Sequence, residues 1–73
     1  RRPFDYMLNA LRLVGGFSLT EFEARTGVSR NDIAGELDTA SRRDWIASSG
    51  DHVIPTELGR RFTNDVIALF LKD

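Results

Sequence analysis

Apolar residues recur at helical spacing from the start of the chain. Phe4, Met7, Leu8, Leu11 and Val14 share one stripe, Pro3 sits where a helix favours a fixed φ, and Gly15-Gly16 stops the run. The pattern predicts a first helix over residues 3–14. Ser18 precedes Glu21 by three positions, the spacing of a capping box in which each side chain satisfies an orphan backbone N–H. A second helix is expected from Leu19 to Thr26, burying Phe22 and ending at Gly27. Ser29, with Asp32 at the third helical position, opens a third helix on Ile33, Leu37 and Ala40 that ends near Arg43. The short glycine turn Thr26-Gly27-Val28-Ser29 makes the pair a helix-turn-helix.

The period then changes. Asp44 to Ser48 and His52 to Pro55 are rich in strand formers, and Ser49-Gly50-Asp51 between them suits a hairpin loop. Pro55 ends the second strand. Thr56 caps a long fourth helix to about Leu71, carried by Leu58, Phe62, Val66, Leu69 and Phe70. The expected fold is mainly α with a small β-hairpin: a winged helix, helix-turn-helix plus wing, with a long C-terminal helix. Residues 1–73 form one such domain, expected to be monomeric and to be a fragment of a larger protein. Its expected core is Phe4, Leu8, Leu11, Phe22, Ile33, Leu37, Trp45, Leu58 and Phe62.

Some apolar residues point away from those stripes. Tyr6 and Leu13 leave the stripe of the first helix; Ile67 and Leu71 leave that of the last. A helix apolar on two sides is usually covered on both. Tyr6, Leu13, Ile67 and Leu71, with Arg60 and Arg61 at the rim, are therefore read as a docking surface for another domain.

Composition narrows the chemistry. The chain has 73 residues, is 41% hydrophobic, carries a net charge of −1 and contains no cysteine. No disulfide, cysteine-based zinc site, cysteine nucleophile or iron–sulfur cluster is held here. The longest apolar run, Val66 to Leu71, falls far short of the ~20 residues that span a bilayer. A chain this short buries only ~60% of its unfolded surface, too little to enclose a roomy active site. Nine of the ten basic residues are arginine, read as a compositional bias.

Winged helices often read DNA with the third helix. From Thr20 to Pro55, however, four arginines face seven carboxylates, a balance of −3, and Ser48 to Asp51 at the wing tip has no cation. Arg30 and Asn31 are the side chains suited to base edges, yet such a face repels phosphate, so no DNA partner is expected. His52 lies beside Ser49 and Asp51, but triad members meet through the fold rather than within one hairpin loop. It is read as a hydrogen-bonded wing histidine rather than an axial haem ligand. No catalytic, cofactor-binding or metal-binding residue is assigned.

Two longer segments carry a resemblance. Asp5-Tyr6-Met7-Leu8-Asn9-Ala10-Leu11-Arg12-Leu13, with Phe17, Phe22 and Arg25-Thr26-Gly27, resembles the opening of the C-terminal domain of HemW-like and oxygen-independent coproporphyrinogen III oxidase-like radical SAM proteins. Pro55-Thr56-Glu57-Leu58-Gly59-Arg60-Arg61-Phe62-Thr63-Asn64-Asp65, followed by Val66 to Leu71, is similar to the end of those chains. The resemblance implies a cytoplasmic parent in porphyrin biosynthesis or haem handling. Its radical SAM barrel would bind a 4Fe-4S cluster through a three-cysteine motif, together with S-adenosylmethionine. The parent's N-terminal radical SAM domain is the implied partner, and haem or porphyrin is handled through the parent. The segments look nearer to the haem chaperones of the HemW branch than to the oxidases. Two other readings stand beside this one: a winged-helix nucleic-acid binder, and a protein-interaction module with no enzyme attached.

Overall fold

The structure, a computed structural model, describes residues 2–71. The capping signals at the second helix act as expected. Ser18 Oγ accepts from the Glu21 N–H at 2.9 Å, and α2 spans Leu19–Thr26. Gly27 closes it at φ 71°, a left-handed conformation that costs glycine little, and donates its N–H to the Glu23 carbonyl. The other half of the capping box is replaced: Glu21 binds Arg25 one turn on, at 2.8 Å. The first helix, α1, spans Arg2–Ala10 and is shorter than expected.

The expected third helix divides. Ser29 caps a 3₁₀ turn at Arg30–Ile33, and α3 follows at Ala34–Arg42. Asp44, expected in a strand, ends α3 instead. It takes a left-handed conformation at φ 61°, which Asp tolerates better than most residues, and Trp45 N–H reaches back to the Ala40 carbonyl at 2.9 Å.

The hairpin is present with its first strand shifted: β2 is Ile46–Ser49 and β3 is His52–Pro55. A two-residue strand, β1 at Phe17–Ser18, adds to its other side. The sheet order is β1-β3-β2, antiparallel throughout, with Phe17 opposite Val53 and Ile46 opposite Pro55. Phe17, Ile46, Val53 and Pro55 turn inward; His52, Ile54 and Ala47 turn outward. The described residues thus form a mainly helical domain with a small three-stranded antiparallel sheet.

The long fourth helix is broken. Thr56 Oγ1 caps α4 (Glu57–Arg61), accepting from the Gly59 N–H at 2.9 Å. Phe62 then leaves helical geometry at φ −112°, ψ 36°, and α5 runs over Thr63–Ala68. Thr63 Oγ1 donates to the Arg60 carbonyl at 2.7 Å, a local bond that competes with the helical ladder. The break gives the two halves different faces. Val66, Ile67 and Phe70 enter the core, whereas Leu58 and Phe62 stay at the surface.

That changes the core. Leu11, Phe22 and Ile33 are buried as expected, joined by Met7, Phe17, Ala40, Ile46, Val53, Val66, Ile67 and Phe70. Phe4, Leu37 and Trp45 are half-buried against it. Leu8, Leu58 and Phe62 were expected inside and are exposed; for Leu58 and Phe62 the reason is that a single helical phase does not run through residue 62. The same stripe implies a loss of ~3–5 kcal/mol for Phe62→Ala, the cost of emptying a core phenylalanine site. Phe62 is 44% exposed and Phe70 only 2%. The loss of ~3–5 kcal/mol therefore belongs to Phe70→Ala, and Phe62→Ala should lose about 1 kcal/mol. Urea denaturation of both variants checks this; equal losses would show that the chain does not turn at residue 62.

Candidate docking surface

Tyr6 projects from α1 with its ring edge-on to Phe17 at 5.6 Å and to Phe22 at 5.3 Å. Burial of the ring, with the Glu21 carboxylate adding, raises the phenol pKa, so the hydroxyl stays a neutral donor. Beside it opens a groove of about 310 Å³ lined by Tyr6, Asn9, Leu13 and Phe17, with the Glu21–Arg25 pair on its polar side. Leu13 is 56% exposed there. The structure therefore brings Tyr6 and Leu13 together.

The rest of the expected surface is scattered. Leu71 is 53% exposed beyond α5, and Arg60 and Arg61 are exposed on α4. Ile67 requires a correction: it is 2% exposed and belongs to the core. Once the helix restarts at Thr63, its phase turns Ile67 inward, and α5 packs this side against α1. Arg12 crosses the same junction, donating to Asn64 Oδ1 at 3.3 Å.

The β2–β3 hairpin is latched to the helices by charge. Arg30 donates through Nη1 to Asp51 Oδ1 at 2.8 Å and through Nη2 to Glu23 Oε1 at 3.1 Å. Its backbone N–H also donates to Glu23 Oε2 at 2.8 Å. Asp51, at the hairpin turn, accepts from the Thr20 N–H at 3.1 Å, and its carbonyl accepts from the Leu19 N–H at 2.8 Å. One side chain thus joins α2, the 3₁₀ turn and the hairpin. Sequence spacing carries no mark of this triad, since its members lie 7 and 21 positions from Arg30. Arg30, suited by sequence to a base edge, is held instead by two carboxylates. Arg25 and Arg42 are likewise paired, with Glu21 and Asp38.

His52 has a structural partner: its Nε2 lies 2.5 Å from the Gly15 carbonyl, which requires the Nε2–H form as donor. Among the described residues, no group of three or more His, Asp or Glu side chains is placed to hold a metal ion. No described helix is long and apolar enough to cross a membrane.

These features define a small helical domain built around a packed core and surface grooves, with Arg30, Glu23 and Asp51 joining its elements. A family model described as the HemN C-terminal domain matches residues 1–62. The chain belongs to that family. It is 33% identical over 72 residues to the "Heme chaperone HemW" of Haemophilus influenzae and 32% identical over 72 residues to that of Escherichia coli K12. Each alignment covers 99% of this chain and 19% of the relative, so the chain spans about a fifth of the curated proteins it matches. No solved structure matches it.

The latch has a pH signature. Hydrogen bonds from Arg30 hold the Glu23 carboxyl below its ordinary 4.5, and the Thr20 N–H together with Arg30 holds Asp51 below its ordinary 3.8. Both folded values are depressed, so their stabilisation is full above the unfolded values and disappears as pH falls through the folded ones. The melting temperature should fall as the pH drops below the ordinary carboxylate values of 4.5 and 3.8. Asp51→Asn should melt lower than the parent at pH 6 and show a shallower acid decline. A melting temperature that is flat from pH 6 to pH 2 would remove the latch from the account.

Proposed function

We propose that this chain is the C-terminal accessory domain of a haem-handling radical SAM protein of the haem-chaperone type. The observation that carries the reading is the match along nearly the whole chain to two proteins called heme chaperones, together with the C-terminal-domain family match. Residues 1–73 form a single winged helix in this reading: α2, the 3₁₀ turn and α3 are its helix-turn-helix, and β2–β3 its wing.

The domain's task is to pack on the parent's preceding radical SAM barrel. Tyr6 and Leu13 supply the groove and Leu71 a further apolar contact, with Arg60 and Arg61 nearby in the assembled protein. The chain has no cysteine, and a 4Fe-4S cluster needs thiolate ligands. The cluster therefore belongs to the preceding domain, and in this reading S-adenosylmethionine and the haem or porphyrin are handled through the parent. The parent works in the cytoplasm.

The test uses the full-length parent. Its upstream reading frame should contain a C-x-x-x-C-x-x-C motif, and the purified protein should bind haem, seen as a Soret band. Leu13→Asp should preserve the circular dichroism spectrum, because Leu13 lies outside the core. It should release the C-terminal domain several-fold faster in limited proteolysis, since burying an unpaired charge is costly. Release at the parental rate would remove Leu13 from the contact. A parent with neither the motif nor haem binding would overturn the functional reading.

A further inference from the structure

The arginines from Arg12 onward, whose side chains are described, fall into two groups. Arg12 is bonded to the Leu8 carbonyl and Asn64, and Arg25, Arg30 and Arg42 each hold a carboxylate. Arg43, Arg60 and Arg61 have no ion pair among the described residues, and all three belong to the junction of α3, Trp45 and α4.

That junction is also apolar at its surface. The rings of Trp45 and Phe62 stack with centroids 6.2 Å apart and an interplanar angle of 28°, and Arg43 lies over the Trp45 ring at 5.2 Å. Leu58 precedes Phe62 by four positions and extends the exposed apolar surface. Arg61 follows Leu58 by three and stands beside it on α4. The platform is fixed from behind. Thr56 donates its N–H to the Trp45 carbonyl at 3.0 Å and its hydroxyl to the Asp44 carbonyl at 2.6 Å. A stacked Trp–Phe pair with an arginine over the Trp45 ring has the composition of an interface hot spot.

We propose that the Trp45–Leu58–Phe62 face, flanked by Arg43 and Arg61, docks on a carboxylate-bearing apolar surface of the domain that precedes this one in the parent polypeptide. The inference rests on the accessory-domain reading and adds the face and the chemistry of its occupant. Charge decides the occupant. Two guanidiniums without internal carboxylates bracket an apolar centre, so the complementary surface is apolar with acidic side chains at its edge. The relatives provide room for such a surface, since this chain spans 19% of their length.

The experiment uses the full-length parent with Arg43→Lys and Arg61→Lys, which keep the charge and add amines for a carbodiimide, a zero-length amine–carboxyl coupler. Peptide mass spectrometry should find both substituted positions joined to Asp or Glu of the preceding domain in the same polypeptide. The pair Arg43→Glu/Arg61→Glu should release the C-terminal domain at least fivefold faster in limited proteolysis, with an unchanged circular dichroism spectrum. The neutral pair Arg43→Gln/Arg61→Gln should fall between. Cross-links to a second copy alone, or nucleic acid that co-purifies with the parent and is lost on charge reversal, would overturn the proposal. So would no cross-link together with parental release rates. If the domain stays protected in that last case, the face is wrong and the accessory reading stands. If the unmodified parent releases the domain as fast as the charge-reversed pair, the accessory reading falls too.

Discussion

Helix α4 lies directly on the backbone of Trp45, and Gly59 makes this approach possible. A Cβ at Gly59 would collide with the Trp45 carbonyl oxygen and carbon. Backbone atoms cannot rotate aside as a side chain would, so the whole helix would have to lift. The same carbonyl accepts the Thr56 N–H, and Thr56 Oγ1 caps the helix that Gly59 seats. This close approach fixes where the chain leaves the sheet. It also places Phe62 over Trp45 and starts α5 in the phase that buries Val66, Ile67 and Phe70.

A thin core makes such a junction matter. In a domain of this size, one or two misplaced apolar side chains amount to a large share of a stability of roughly 5–15 kcal/mol. The hairpin is held independently, by Arg30 between Glu23 and Asp51. Exposed ion pairs contribute little singly, so the latch sets the position of the hairpin more than it holds the fold. Among the areas that core, hairpin latch and helix seat leave uncommitted are the groove at Tyr6 and Leu13 and the Trp45–Phe62 face. Both serve the reading of this chain as a domain that packs on another.

Much of this was readable in the residues wherever local chemistry decides. Ser18 and Gly27 marked both ends of α2, Thr56 marked the start of α4, and the order of helices and hairpin followed from changes of period. What escaped was set by tertiary contact. Strand β1 has two residues, too few to show alternation, and exists because Phe17 pairs with Val53. The break at Phe62 lies inside an uninterrupted apolar repeat. Its local signal is the Thr63 hydroxyl, which reads equally well as an ordinary helical threonine. Ile67 and Phe62 exchanged places between surface and core for that reason alone. The groove was half visible, since Tyr6 and Leu13 left their helical stripe, whereas the Trp45–Phe62 face depends on a turn no pattern announced. The family resemblance, carried by Asp5–Leu13 and Pro55–Asp65, was legible from those segments and agrees with the HemN C-terminal domain match.

Two helical glycines offer the most direct measurement. Gly35 in α3 has nothing within 4 Å of where a Cβ would stand, whereas Gly59 in α4 faces the Trp45 backbone. Alanine favours a helix over glycine by ~1 kcal/mol at either site. Urea denaturation of Gly35→Ala should therefore show a gain of about 0.5–1 kcal/mol. Gly59→Ala should show a net loss of about 1–3 kcal/mol, because overpacking against backbone outweighs the propensity gain. Opposite signs at the two positions are the result this account predicts. A Gly59→Ala variant as stable as Gly35→Ala would mean that α4 does not rest on Trp45, and the placement of Phe62, Ile67 and the exposed aromatic face would fall with it.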